Sequence, residues 1–292
     1  LHKEYRRQRQ MCIRDSCKGK EFFSKEYWGY ALRIGIPIVP HYLSGIILNQ
    51  GDRIMIDKMV GKTEVALYGL AYSIGMLVQL FISGMNSALT PWMYSKIKKG
   101  DIRSMRKVLQ LLSIVVVGIA VALMLISPEL VLIFGSPKYR EAVYVIPPVA
   151  ASVFFIFIYN ILSMPQFYYE KTQFLMAASM AAAGANVVLN FIFIRLFGYI
   201  AAGYTTLACY MLYSVGHYIV SKRILVNEGI QENLMSPGFL VACSVFLIGA
   251  SIICNLIFPY RILRYAILLA SAGLVFWKKE LLLKTMADIR KK

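Results

Sequence analysis

The chain has 292 residues, 58% of them hydrophobic and only 16% charged, with a mean hydropathy of +0.60 and a formal net charge of +17. A soluble domain carries about a quarter charged residues. Here apolar runs of about 20 residues, the length that spans hydrocarbon, recur from end to end, which excludes a soluble fold and predicts an all-α integral membrane protein.

Residues 1–26 form a basic tract. Its string Met11-Cys12-Ile13-Arg14-Asp15-Ser16 resembles a read-through from sequence assembly, so residues 1–20 carry no functional reading. Apolar segments follow at 30–50, 66–93, 108–134, 143–165, 173–194, 199–220, 238–257 and 262–277, which predicts eight transmembrane helices. Most Lys and Arg fall in the tract before the first span, the 96–107 loop, Lys171, the 222–223 pair and the tail from 278, all on one side of the bilayer. By the positive-inside rule that side is the cytoplasm, and both termini lie there. Trp28, Trp92 and Trp277 fall at the same ends of their spans, where an indole favours the interface. The tail 277–292 alternates basic and apolar residues. It suits either a helix lying on an anionic inner leaflet or a plain stop-transfer flank.

The basic excess does not indicate nucleic acid, because the cations sit between apolar runs and no nucleic-acid-binding motif accompanies them. Cys209, Cys243 and Cys254 lie in predicted spans as small apolar residues, and no Cys or His has metal-ligand spacing. A metalloprotease helix, a phosphate-cradling glycine loop and a nucleophile elbow are all absent. The reading is therefore no enzyme, no cofactor and no metal.

The first span is the most polar. Arg33, Pro37, Pro40, His41 and Ser44 share one helical face, and the two prolines predict a break that frees carbonyls toward water or a neighbouring helix. Arg33 has two readings of equal weight, a cation presented to an anionic ligand and a side chain that snorkels to the interface beside Trp28. A lone His41 satisfied by a neighbouring helix is the commoner case. Asp52 and Arg53 follow at the far end and read as a structural latch at the interface. On this reading no carboxylate lies deep in any span. In 173–194, Ser179, Ala182, Ala183, Asn186 and Asn190 form a small, polar stripe whose default role is close helix packing, with a hydrated cavity as the alternative. Asn160 and Gln166, at the end of the fourth span, are candidates for contacts to sugar hydroxyls.

Four stretches together carry a resemblance. They are Pro40-His41-Tyr42-Leu43-Ser44 with Asn49-Gln50-Gly51-Asp52-Arg53-Ile54-Met55-Ile56, then VALYGLAYSI from Val65, FYYEKT from Phe167 and NVVLNFIFIRLFGYIAAGYTTL from Asn186. In this order they resemble the second lobe of bacterial polysaccharide flippases of the multidrug/oligosaccharidyl-lipid/polysaccharide exporter superfamily. The resemblance implies two six-helix lobes about a central cavity. Residues 27–223 are then the second lobe, 224–292 two accessory helices with a basic tail, and an N-terminal lobe is the missing partner. It also implies alternating access and an undecaprenyl-pyrophosphate-linked oligosaccharide as substrate, for O-antigen or capsule synthesis at the cytoplasmic membrane. Arg33 would attract phosphate, and His41, Asn49, Gln50, Asn160, Asn186 and Asn190 would line the substrate path. The nearest rival is an ion-coupled multidrug exporter of the same fold, which favours a buried carboxylate. An O-antigen polymerase or ligase would need a long external loop that is absent here.

Overall fold

A computed structural model describes residues 23–277, so the first tract up to residue 22 and the expected tail helix after 277 lie outside the described residues. The order is α1 (Lys25–Met59), α2 (Lys62–Gly75), α3 (Leu77–Lys98), α4 (Ile102–Phe134), a 3-10 segment (Pro137–Val145), α5 (Ile146–Tyr168), α6 (Thr172–Phe197), α7 (Ile200–Asn227), α8 (Pro237–Ile257) and α9 (Arg261–Trp277). The described residues hold no strand, and the all-α membrane architecture stands.

Six helical units are long and apolar enough to cross a bilayer: 25–59, 62–98, 102–134, 137–168, 172–197 and 237–257. The other two expected spans are not among these, for different reasons. Helix α9 is described over 17 residues, up to the point where the described residues end. Helix α7 has 28, but its inward side is Thr205, Thr206, Tyr210, Tyr213, Ser214, His217 and Ser221, so its polarity faces protein rather than lipid.

Helix α5 is the central rod. Its apolar window is 89% buried, against 17% for α1, because it is apolar on every side and packs on α7, α4, α3 and α8. Helices α6 and α7 pack against each other, and α1 closes over α6. Helix α1 buries Pro37, Ser44, Leu48, Asp52 and Ile56, a stripe at helical spacing, and leaves Leu32, Ile36, Val39, Leu43 and Ile46 on an open apolar face. The expected break at Pro37 and Pro40 does not occur, since α1 is helical from 25 to 59. Proline removes one ladder bond without ending a helix that its neighbours hold, and here Pro37 is buried. The second span is the interrupted one, with α2 and α3 separated at Met76. Beside that break Gly75 meets Val149 so closely that a Cβ would lie 2.7 Å from Cγ1. Gly198, at φ 74, makes the tight left-handed turn from α6 to α7.

Side-chain contacts define the two ends of the bundle. At the basic end the Tyr30 hydroxyl donates to Glu170 at 2.5 Å, Arg106 Nε donates to the Asn233 carbonyl at 2.6 Å, and Lys96 pairs with Asp101 at 2.7 Å. At the opposite end Asn255 donates to Tyr204 at 2.7 Å, and Arg264 grips both carboxylate oxygens of Glu129 at 2.8 Å. Arg264, a charge within the last expected span, is 3% exposed. Its fork also reaches the Leu125 carbonyl at 2.7 Å, which fastens α9 to α4.

Candidate functional site

The expected interfacial latch at Asp52 is instead a carboxylate inside the bundle, 0% exposed. Because α1 continues to Met59, Asp52 lies two turns before its end and faces α2, α6 and α7. Tyr68 from α2 donates to one carboxylate oxygen at 2.5 Å, and Thr206 from α7 donates to the same oxygen at 2.6 Å. Asn190 from α6 donates to the other at 2.5 Å. Behind this first layer, Asn190 bonds Asn186 at 3.1 Å and accepts from the Thr205 hydroxyl, and Asn186 reaches Thr206 at 3.5 Å.

The Asn190 amide can only donate, whereas the Tyr68 and Thr206 hydroxyls can donate to a carboxylate or accept from a carboxylic acid, so the site can hold Asp52 in either protonation state. Among the described residues no basic group pairs with it. Arg53 turns away, with NH1 at 3.4 Å from Gln50 Oε1 and its guanidinium 5.3 Å from the Tyr72 ring centroid. The latch reading of Asp52 and Arg53 as a pair is therefore corrected. Asp52 ties four helices together and Arg53 takes no part. The premise that no span holds a deep carboxylate is corrected with it. A carboxylate buried in this way is a group that a proton or a cation can neutralise.

A polar row continues from Asp52 along the inward face of α7. Asn49 accepts from Tyr72 at 2.8 Å and lies 3.4 Å from the Tyr210 hydroxyl, while its own amide donates to the Gly45 carbonyl. Tyr159 from α5 stacks on Tyr210 and sits 4.5 Å from the ring of Tyr213. Tyr213 hydrogen-bonds His41 at 3.2 Å and meets His217 edge-on at 4.5 Å. His217 is 0% exposed and pairs with Gln166 at 2.8 Å.

The expected site residues thus divide. Asn49, Asn186 and Asn190 join Asp52 in one network, and His41 stands further along the row. Gln166 is buried against His217. Gln50 is exposed, and Asn160 is half-buried on α5 without joining the network. Arg33 is exposed and lines a separate recess of about 370 Å³ at the basic end, together with Tyr30, Glu170, Lys171 and Thr172. Sequence reading missed Tyr68, Tyr72 and the whole α7 row. One signal was there: Thr206, Tyr210, Tyr213, His217 and Ser221 recur at intervals of three and four in a segment otherwise read as an ordinary span.

Comparison with known proteins identifies the lineage. The MatE family matches residues 37–192, more than half of the chain and including every residue of α1 that touches the Asp52 network. The chain belongs to the MatE family. MatE proteins belong to a superfamily that includes polysaccharide flippases, and this chain is a multi-pass membrane domain of that family. Two Haemophilus influenzae proteins are similar to it. "Lsg locus putative protein 1" is 29% identical over 178 residues, covering 57% of this chain and 43% of its own length. An "Uncharacterized membrane protein" is 29% identical over 174 residues, covering 56% and 41%. The alignment therefore spans less than half the length of these relatives. No solved structure matches the chain.

Proposed function

We propose that this MatE domain is one lobe of an ion-coupled transporter that moves undecaprenyl-pyrophosphate-linked oligosaccharides across the cytoplasmic membrane by alternating access. The observation that carries the coupling is the fully buried Asp52, held by donors from three other helices with no basic partner among the described residues. Burying an unpaired charge in a membrane protein is costly, and such residues mark ion and proton pathways. Charge arriving at Asp52 would weaken the grip of Tyr68, Asn190 and Thr206, and so change how α1 sits against α2, α6 and α7. That is a differential interaction of the kind a two-state transporter needs.

The substrate class rests on the resemblance and on the recess at the basic end. Arg33 and Lys171 line that recess together, a placement suited to the phosphates of a lipid-linked headgroup approaching from the cytoplasm. Asn190, which donates to Asp52, and Asn186 behind it serve coupling in this scheme and do not touch substrate. A multidrug exporter of the same fold is the second reading, because Asp52 suits it equally well. Both are tested with the full-length protein in proteoliposomes under an imposed proton or sodium gradient, given either the lipid-linked oligosaccharide or a cationic drug. Asp52→Asn should lose the response to the gradient. Gradient-driven transport at the unmutated rate would end the coupling role. Transport of the drug alone would decide for the second reading.

A further inference from the structure

The α7 row ends in a place the coupling scheme does not use. Toward the basic end from Tyr213, three buried polar atoms have no hydrogen-bond partner among the described residues: Gln166 Oε1, His217 Nε2 and Ser221 Oγ. Their residues are 0%, 0% and 1% exposed. Ser221 lies one turn beyond His217 on the same face of α7, and Gln166 is already bonded to the His217 ring. Leaving buried polar groups unpaired costs about 1–3 kcal/mol each, and native structures rarely do so.

The tautomer fixes what belongs there. Gln166 Nε2 can only donate, and it also points at the Leu162 carbonyl at 3.3 Å. His217 Nδ1 must therefore accept, and the ring proton sits on Nε2. The three atoms then comprise an N–H donor, a carbonyl acceptor and a hydroxyl that does both. A cation would face the N–H dipole head-on. Water, which donates and accepts, satisfies all three.

We propose that water occupies this pocket at Gln166, His217 and Ser221, and that the α7 row behind it is a hydrated path from the basic end of the lobe to Asp52, separate from the recess at Arg33. Five residues make the row, Ser221, His217, Tyr213, Tyr210 and Thr206, and each is at most 4% exposed. Tyr159 flanks it from α5, and His41 and Asn49 flank it from α1. Thr206 ends the row with its hydroxyl on Asp52. Titratable groups facing His217 are Tyr213 on its own helix, Tyr159 on α5 and His41 on α1. No carboxylate pairs with it among the described residues. The path supplies water, and with it the coupling charge, to Asp52 without passing the substrate. In that respect the inference rests on the coupling role given to Asp52.

The test is water-edited solid-state NMR on the full-length protein in lipid bilayers, with histidine and tyrosine isotopically labelled. Magnetisation from water should reach the His217 ring as early as it reaches the half-buried His41. Arrival no earlier than at core aliphatic carbons would show a dry pocket and overturn the proposal. Ser221→Leu fills the entrance and should abolish early transfer to His217 and delay it at Tyr213. Unchanged transfer at both rings would show that water does not enter from this end. The water readout needs no transport. If Asp52→Asn still responds to a gradient while His217 is wet, the coupling role fails and the hydrated pocket stands.

Discussion

Asp52→Ala removes the acceptor of three hydrogen bonds at once and leaves the Tyr68 hydroxyl, the Thr206 hydroxyl and the Asn190 amide buried without their partner. Side-chain hydrogen bonds inside membrane proteins average about 0.6 kcal/mol and reach about 1.7 kcal/mol. Three of them together predict a loss of about 2–5 kcal/mol. Against this stands the relief of removing a buried charge, a gain that a neutral acceptor would also bring. Asp52→Asn separates the two effects. It keeps one oxygen for Tyr68 and Thr206 and opposes its amide to that of Asn190, so it should lose a single bond's worth, about 0.6–1.7 kcal/mol. Reversible unfolding of the full-length protein from bicelles into SDS would measure both. The expected order is unmutated protein, then Asp52→Asn, then Asp52→Ala. If Asp52→Ala matches or exceeds the unmutated stability, desolvation of the charge outweighs its bonds, and the network does not hold the four helices together.

Three other outcomes follow from single contacts. Glu129→Ala should free α9 from α4 by leaving the buried Arg264 guanidinium without its carboxylate, at a cost of about 3 kcal/mol; protease nicking in the 258–261 turn should accelerate, and an unchanged rate would refute the clamp. Gly75→Ala should cost about 1–3 kcal/mol by overpacking against Val149, and Val149→Ala should restore much of it; thermal unfolding of the single and double variants checks this. In cells, Arg33→Glu should abolish surface polysaccharide while Arg33→Lys retains part of it. Normal output from the Glu variant would remove Arg33 from the phosphate-receiving role.

Much of the fold was legible because it follows from local chemistry. Apolar runs of spanning length set the helices and their order, and the stripe Ser179, Ala182, Ala183, Asn186 and Asn190 is buried on α6 as its spacing requires. Periodicity also identified Pro37 and Ser44 as one face of α1. The end of the first span is where sequence and structure part. A span ending at residue 50 places Asp52 at the interface, whereas nine more helical residues put it inside the bundle. Hydropathy dips at a charged residue whether that residue meets solvent or three donors, so the profile along α1 contains no signal that separates the two cases.

The same ambiguity governed α7. Its low hydropathy was visible, but Thr206, Tyr210, Tyr213, His217 and Ser221 become a row only when α1 and α5 supply Asn49, His41, Tyr159 and Gln166 opposite them. The sequence by itself determined a basic, all-helical membrane chain and the faces its helices could bury. Tertiary structure alone decided that Asp52 is an interior carboxylate, that Arg33 stands apart from it, and that Arg264 is a clamp. The physical reason is that burial of a polar group depends on donors and acceptors brought from distant helices, over 100 residues away for Asp52 and both Asn190 and Thr206.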